Sequence, residues 1–255
     1  MGKGMWAALL LLFAQVAAAD GVGPGLQLKP EMLTEHFLAS HPDLRWQREG
    51  MHSMDQGRHA AAMNQFKRAA RYADKLSQAQ IANMYWEGIG VERDRALAYA
   101  WMDVAAERLY PDLIVFRERF WNALEPHERE EAIERGQAVL AEYGDEAAKP
   151  RMERILNRAR RSITGSRLGG SVPSVRVIPL TGPGRYRHSG EIDLTSGVGT
   201  VSGEEVYADR YWRPERYWEL QDTLWNAPGT QGRVEVGKPV AMDEPGGESI
   251  MEKEF

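Results

Sequence analysis

The 255-residue chain contains no cysteine. Disulfide staples, thiolate metal sites, cysteine nucleophiles and a cysteine-linked lipid anchor are therefore all excluded. A field of one sign is missing too: the formal net charge is −5, which gives no reason to expect nucleic acid as a partner. Long hydrophobic runs are scarce. The one continuous run, Met5 to Val16, falls well short of the ~20 residues that span a bilayer. The sequence also lacks HExxH, His-x-His and G-x-S-x-G, the spacings that pair zinc ligands or place a serine on a sharp elbow. Its six histidines do not converge. His36 and His41 are five residues apart, and His52 and His59 flank a turn. They read as surface or capping residues, and neither metal nor cofactor is expected. Gly21-Val22-Gly23-Pro24-Gly25 has a proline where a phosphate loop needs a backbone donor. Gly197-Val198-Gly199 leads into another glycine turn at Gly203 with no clear helix after it. These are a linker and hairpin turns. Neighbouring acids such as Glu130-Glu131 and Glu204-Glu205 read as solvated, since acid–base work needs two environments that drive pKa values apart.

What is present begins with a targeting segment. Lys3 supplies a short positive region, Met5–Val16 the apolar core, and Ala17-Ala18-Ala19 a small-residue cleavage pattern, so the cut is placed between Ala19 and Asp20. Its removal takes away one lysine and no acid, leaving a net charge of −6. The expected location is the periplasm of a Gram-negative cell, or the outside. Residues 20–29, with three glycines and a proline, read as a linker.

Residues 30–163 carry helical periodicity. Pro30 and Pro42 are each placed to open a helix, the first with Met32, Leu33, Phe37 and Leu38 on one face. An internal repeat follows: residues 62–70 (AMNQFKRAA) align with 98–106 (AYAWMDVAA) at an offset of 36. Alanines let helix axes approach and the large residue fills the gap, so Ala62, Phe66, Ala69 and Ala70 should share a buried face. Gly88 is placed to end a helix in the left-handed conformation, Gly90 to reverse the chain, and Asp94 to cap the next helix. Downstream, Leu113, Phe116, Phe120 and Leu124 recur at helical spacing. A helix opened by Pro126 and ended by Gly144 turns Ala132, Ile133, Val139, Leu140 and Tyr143 inward. Pro150 begins another with Met152, Ile155, Leu156 and Ala159 on one side.

Ala82, Tyr85, Gly88, Gly90-Val91, Asp94, Ala96, Ala100-Trp101 and Ala105-Ala106 together resemble the Sel1-like repeat family, relatives of the tetratricopeptide repeats. Asn83 departs from the pattern, which usually has glycine there. Trp46, Gly50, Ala62 and Phe66 suit a plainer tetratricopeptide unit upstream. The resemblance implies a mainly α protein with a right-handed helical-repeat array over 30–163. It implies a non-catalytic scaffold whose first helices line a groove for a protein or peptide of the cell envelope. Arg48, His52, Gln80, Asn83 and Glu87 would then line it. Penicillin-binding relatives carry a cysteine pair per repeat, which this chain lacks, so an enzyme acting on cell-wall material is the weaker implication.

Residues 164–171 (TGSRLGGS) read as a flexible join. From 172 to 241 the pattern changes to short alternating strands around Val175, Val177, Ile192, Leu194, Val234 and Val236, with an aromatic helix between Tyr207 and Trp225 begun by Pro214. Residues 242–255 are acidic and read as disordered. Within the aromatic helix, Tyr217, Leu220, Leu224 and Trp225 are assigned to packing. Tyr211, Trp212 and Trp218 are left for a partner or an envelope glycan. Arg151, Arg154, Arg158, Arg160 and Arg161 form an arginine-rich helix end, read either as a solvated face or as a contact for an anionic surface.

Overall fold

The computed structural model describes residues 28, 32–163, 176–177 and 201–226. The targeting segment, the join at 164–171, the strands around Ile192, Leu194, Val234 and Val236, and the acidic stretch 242–255 lie outside them. Within them the chain is mainly helical. The helices are α1 Glu35–Ser40, α2 Pro42–Asp55, α3 His59–Ala70, α4 Lys75–Glu87, α5 Arg95–Ala105, α6 Pro111–Ala123, α7 Pro126–Tyr143 and α8 Asp145–Ile163. After β1 Arg176–Val177 and β2 Val201–Ser202 come α9 Gly203–Val206, α10 Asp209–Trp212 and α11 Pro214–Trp225. The two strands pair antiparallel, Arg176 opposite Ser202 and Val177 opposite Val201.

Local chemistry sets the boundaries. Pro42, Pro111, Pro126 and Pro214 open four of the helices, where a missing N–H leaves nothing unpaired. Carboxylates cap two others: Asp74 accepts from Ser77 N at 2.9 Å and Asp94 from Leu97 N at 2.9 Å. The helix that carries Phe37 and Leu38 starts at Glu35, where the Thr34 hydroxyl accepts from Phe37 N at 3.2 Å; Pro30 lies outside the described residues. Gly88 (φ 72°) is left-handed as expected, and Gly90 (φ 69°), placed to reverse the chain, is left-handed as well. Gly90 also has no room for a side chain, since a Cβ there would sit 2.3 Å from His59 Cβ.

Helices α3 and α5 start 36 residues apart, at His59 and Arg95. Helices α4 and α6 start at Lys75 and Pro111 and end at Glu87 and Ala123, again 36 residues apart. Among the described residues, the two non-glycine residues with positive φ, Ala73 (63°) and Leu109 (59°), keep the same interval. Each turns the chain from one helix into the start of the next. The sequence offset is thus an offset of backbone geometry as well. Helix α2 packs on α3, α3 on α4, α4 on α5 and α5 on α6. Helix α7 packs along α5, two helices back in the chain, and runs in the same direction. Asp94 meets Arg135 at 2.6 Å, Ala100 faces Gly136, and Trp101 packs on Tyr143 with ring centroids 4.5 Å apart.

The main core holds Ala62, Phe66 and Ala70 of α3, Ile81, Ala82 and Met84 of α4, and Trp101, Met102 and Ala105 of α5, all at most 3% exposed. Trp86 stacks on Phe120 at 4.0 Å. A second cluster joins the two ends of the described chain: Leu28, Met32, Phe37 and Leu44 with Val206, Tyr211 and Trp212. A third joins Met152 and Leu156 of α8 to Tyr217 of α11.

Several expectations need correction. Leu28, placed in the linker, is buried. Ile133 and Leu140 are 60% and 50% exposed, because α7 turns Ala132, Gly136 and Val139 towards α5 instead. Pro150 lies inside α8, which starts at Asp145 directly after Gly144. Gly203 starts the short helix α9, whose first turn is held by the Ser202 hydroxyl accepting from Glu205 N at 3.2 Å. The aromatic segment forms two helices, since Pro214 holds Arg213 extended (ψ 124°).

Candidate functional site

The residues expected to line a groove lie on α2 and α4. On α2, Arg48 is half-buried and His52 exposed, one turn apart. On α4, Asn83 and Glu87 are half-buried and also one turn apart. The side chain of His52 meets only Gln56 of its own helix, at 2.7 Å. Among the described residues, Arg48, Asn83 and Glu87 make no side-chain hydrogen bond or ion pair. Gln80 does not join them. It is 7% exposed, because α4 is covered on one side by α3 and on the other by α5.

The C-terminal aromatics are placed otherwise than expected. Tyr211 and Trp212 are 7% and 2% exposed. Trp212 packs edge-on to Phe37 with centroids 5.8 Å apart and donates from Nε1 to the Val206 carbonyl at 2.6 Å. Trp218 is half-buried. Its Nε1–H is given to Glu153 at 3.0 Å, and its ring lies 4.8 Å from the Arg108 guanidinium and 5.3 Å from Lys149 Nζ. Tyr211 and Trp212 are core residues and Trp218 is engaged, so the three form no open platform for a glycan or partner. Aromatic rings at helical spacing pack whenever an apolar neighbour is available, and α1 provides one.

Beneath α11 lies a polar layer that the sequence reading did not anticipate. It follows the starts of α2, α4, α6 and α8. The Tyr217 hydroxyl donates to Asp43, the second residue of α2. Asp74, which caps α4, also accepts from Gln47 Nε2 of α2 at 3.0 Å. The Tyr110 hydroxyl, just before α6, donates to Asp222 of α11 at 2.5 Å, and its ring stacks on Trp225 at 5.0 Å. Arg108 holds Asp145, the first residue of α8, through Nε and Nη2 at 2.6 and 3.0 Å. Lys75, fully buried, reaches Asp145 at 3.0 Å, Glu107 at 3.1 Å and the Val104 carbonyl at 2.8 Å. His41 has its ring nitrogens 2.8 Å from the Phe37 and Tyr211 carbonyls.

The electrostatics of the layer follow from burial and pairing. Burial lifts the Asp43 carboxyl to about 6 although the Tyr217 hydroxyl pulls it down. Burial also lifts Asp74 to about 6, with the nearby Asp43 charge adding to the rise. Burial pushes Lys75 and His41 below their ordinary values. Burial would raise Asp145, but the Arg108 guanidinium outweighs it and holds that carboxyl well below the usual range. These groups converge; Asp43 and Tyr217 are closed off at 3% and 0% exposed, whereas Glu107 and Asp222 at the edge of the layer are exposed. Through Tyr217 and Tyr110 the layer joins helix ends to α11. The sequence held no signal for the layer, because its members are spread from residue 41 to residue 222 without a motif.

In the arginine-rich end of α8, Arg151 donates to the Glu142 carbonyl at 2.6 Å and to the Arg71 carbonyl at 3.4 Å, closing the ends of two helices. Arg154 and Arg158 are exposed. No group of three or more histidine, aspartate or glutamate side chains that could hold a metal occurs among the described residues. None of their helices is long and apolar enough to cross a membrane. Compared with protein-family models, with curated proteins and with solved structures, the chain matches none.

Proposed function

We propose that this chain is a non-catalytic scaffold of the Sel1-like kind, with α2 to α7 forming a short right-handed helical array. It is exported through residues 1–19 and holds a protein or peptide of the cell envelope along the accessible face of α2 and α4. The 36-residue recurrence of helix starts, helix ends and left-handed residues supports the array. The observation that carries the binding face is the state of four side chains. Arg48, His52, Asn83 and Glu87 keep access to solvent, and among the described residues none has a partner beyond its own helix. Of the titratable groups that could have argued for an enzyme, His41, Asp43, Lys75 and Tyr217 are buried.

Crosslinking and affinity capture from the native envelope tests the reading. The wild type is compared with a double variant, Asn83→Ala and Glu87→Arg, whose helicity is checked separately. Loss of one specific partner in the double variant, with helicity unchanged, is the expected result. A partner set that both proteins share would refute the face.

A further inference from the structure

A band of arginines runs from the end of α3 onto α8. Arg68 and Arg71 lie one turn apart at the end of α3, and both are exposed. The guanidinium of Arg68 lies 4.5 Å from the ring centroid of Trp46 on α2. The Arg71 carbonyl receives Arg151 of α8 at 3.4 Å, and Arg154 and Arg158 continue along that helix by successive turns. Few carboxylates answer this charge. Glu142 pairs with Arg71 at 2.7 Å, and Glu153 is turned away to Trp218. Among the described residues, Arg68, Arg154 and Arg158 have no ion pair. In a chain of net charge −5 such a band marks a place for an anionic partner.

We propose that the occupant is the chain's own acidic stretch, Asp243 to Glu254. It carries Asp243, Glu244, Glu248, Glu252 and Glu254 against one Lys253. Position favours it over any free anion. Trp218 bonds Glu153, so α11 packs on the same helix, α8, that carries Arg154 and Arg158. Asn226 follows Trp218 by two turns of helix, about 12 Å. The 16 residues between Asn226 and Asp243 reach roughly 50 Å when extended, far more than the span required. Exposed ion pairs are individually weak, too weak to hold a free peptide. Tethering supplies an effective concentration of the order of millimolar, and several such pairs then suffice. The inference does not depend on what binds α2 and α4.

The absence of cysteine gives a clean test. The full chain carrying Ser249→Cys is spin-labelled, and attenuation of backbone amide signals by the label is mapped by NMR. At about 20 mM salt, where screening is weak, amides of Arg68, Arg71 and 151–158 lose at least roughly half their intensity. Those on the exposed side of α6 keep theirs. At about 0.5 M salt, or in Arg154→Glu with Arg158→Glu, the attenuation falls by more than roughly half. Both substituted side chains are exposed, so the fold is retained. Attenuation spread evenly over the surface, or one indifferent to salt and to charge reversal, overturns the proposal. So does attenuation that appears only between a labelled and an unlabelled copy in a mixture, since the contact would then be made in trans.

Discussion

Two glycines at helix crossings differ in what a methyl group would meet. At Gly50 an added Cβ would lie 2.4 Å from the Phe66 ring, in the tightest part of the α2–α3 contact. Gly50→Ala should therefore destabilise the protein by about 1–3 kcal/mol through overpacking. At Gly136 the nearest atom is Ala100 Cβ at 3.6 Å, an ordinary contact. Gly136→Ala should be neutral or gain up to roughly 1 kcal/mol from the stiffer helix. Denaturant midpoints at equal m-value check both signs. The buried face of α3 was legible residue by residue: Ala62, Phe66, Ala69 and Ala70 are all fully buried. A single face against a single neighbour is what a 3.6-residue period encodes. Gln80 was misplaced because α4 is covered from two sides. Ser77, Gln78 and Gln80 are buried there along with the apolar residues, and no period distinguishes them.

At the scale of elements, the attachment of α11 to the starts of α2 and α6 is polar and was not legible as a contact. Tyr217 and Trp225 could be assigned to packing from their spacing alone. Their carboxylate and phenol partners could not, because Asp43, Tyr110 and Asp222 look like any surface polar residues until the chain closes. The layer should respond to pH. The Asp43 carboxyl sits at about 6 in the fold against an ordinary 3.8. Its contribution to stability is thus fully present below pH about 3.8 and is lost as pH rises through about 6. Asp74 acts in the same sense. His41 and Asp145, both lowered, act in the opposite sense, their contributions being lost on acidification. A difference measurement isolates Asp43. The stability of Asp43→Asn minus that of the wild type should grow by roughly 2–3 kcal/mol between pH 4 and 7, read as unfolding free energy at several pH values. A difference that stays constant would remove Asp43 from the pH response.

For the whole molecule, the sequence offset of 36 indicated a helical protein with short repeated units, and the helix boundaries recur at that interval from α3 to α6. The ends of α7 at Pro126 and Gly144 were legible, but its packing on α5 was not. Helix α7 lies parallel to α5, an arrangement set by Gly136 against Ala100 and by Arg135 on Asp94, contacts between residues some 36 to 41 positions apart. The candidate binding face was partly legible: the resemblance pointed to five residues, four of which remain accessible. The central claim is that this face of α2 and α4 carries a partner. Photo-crosslinkers placed singly at Arg48, at Asn83 and, as a control, at the exposed Leu140 of α7 test it most directly in the native envelope. The account predicts one adduct of the same mass from Arg48 and Asn83, absent from Leu140. Adducts from all three positions alike, or from Leu140 alone, would contradict it.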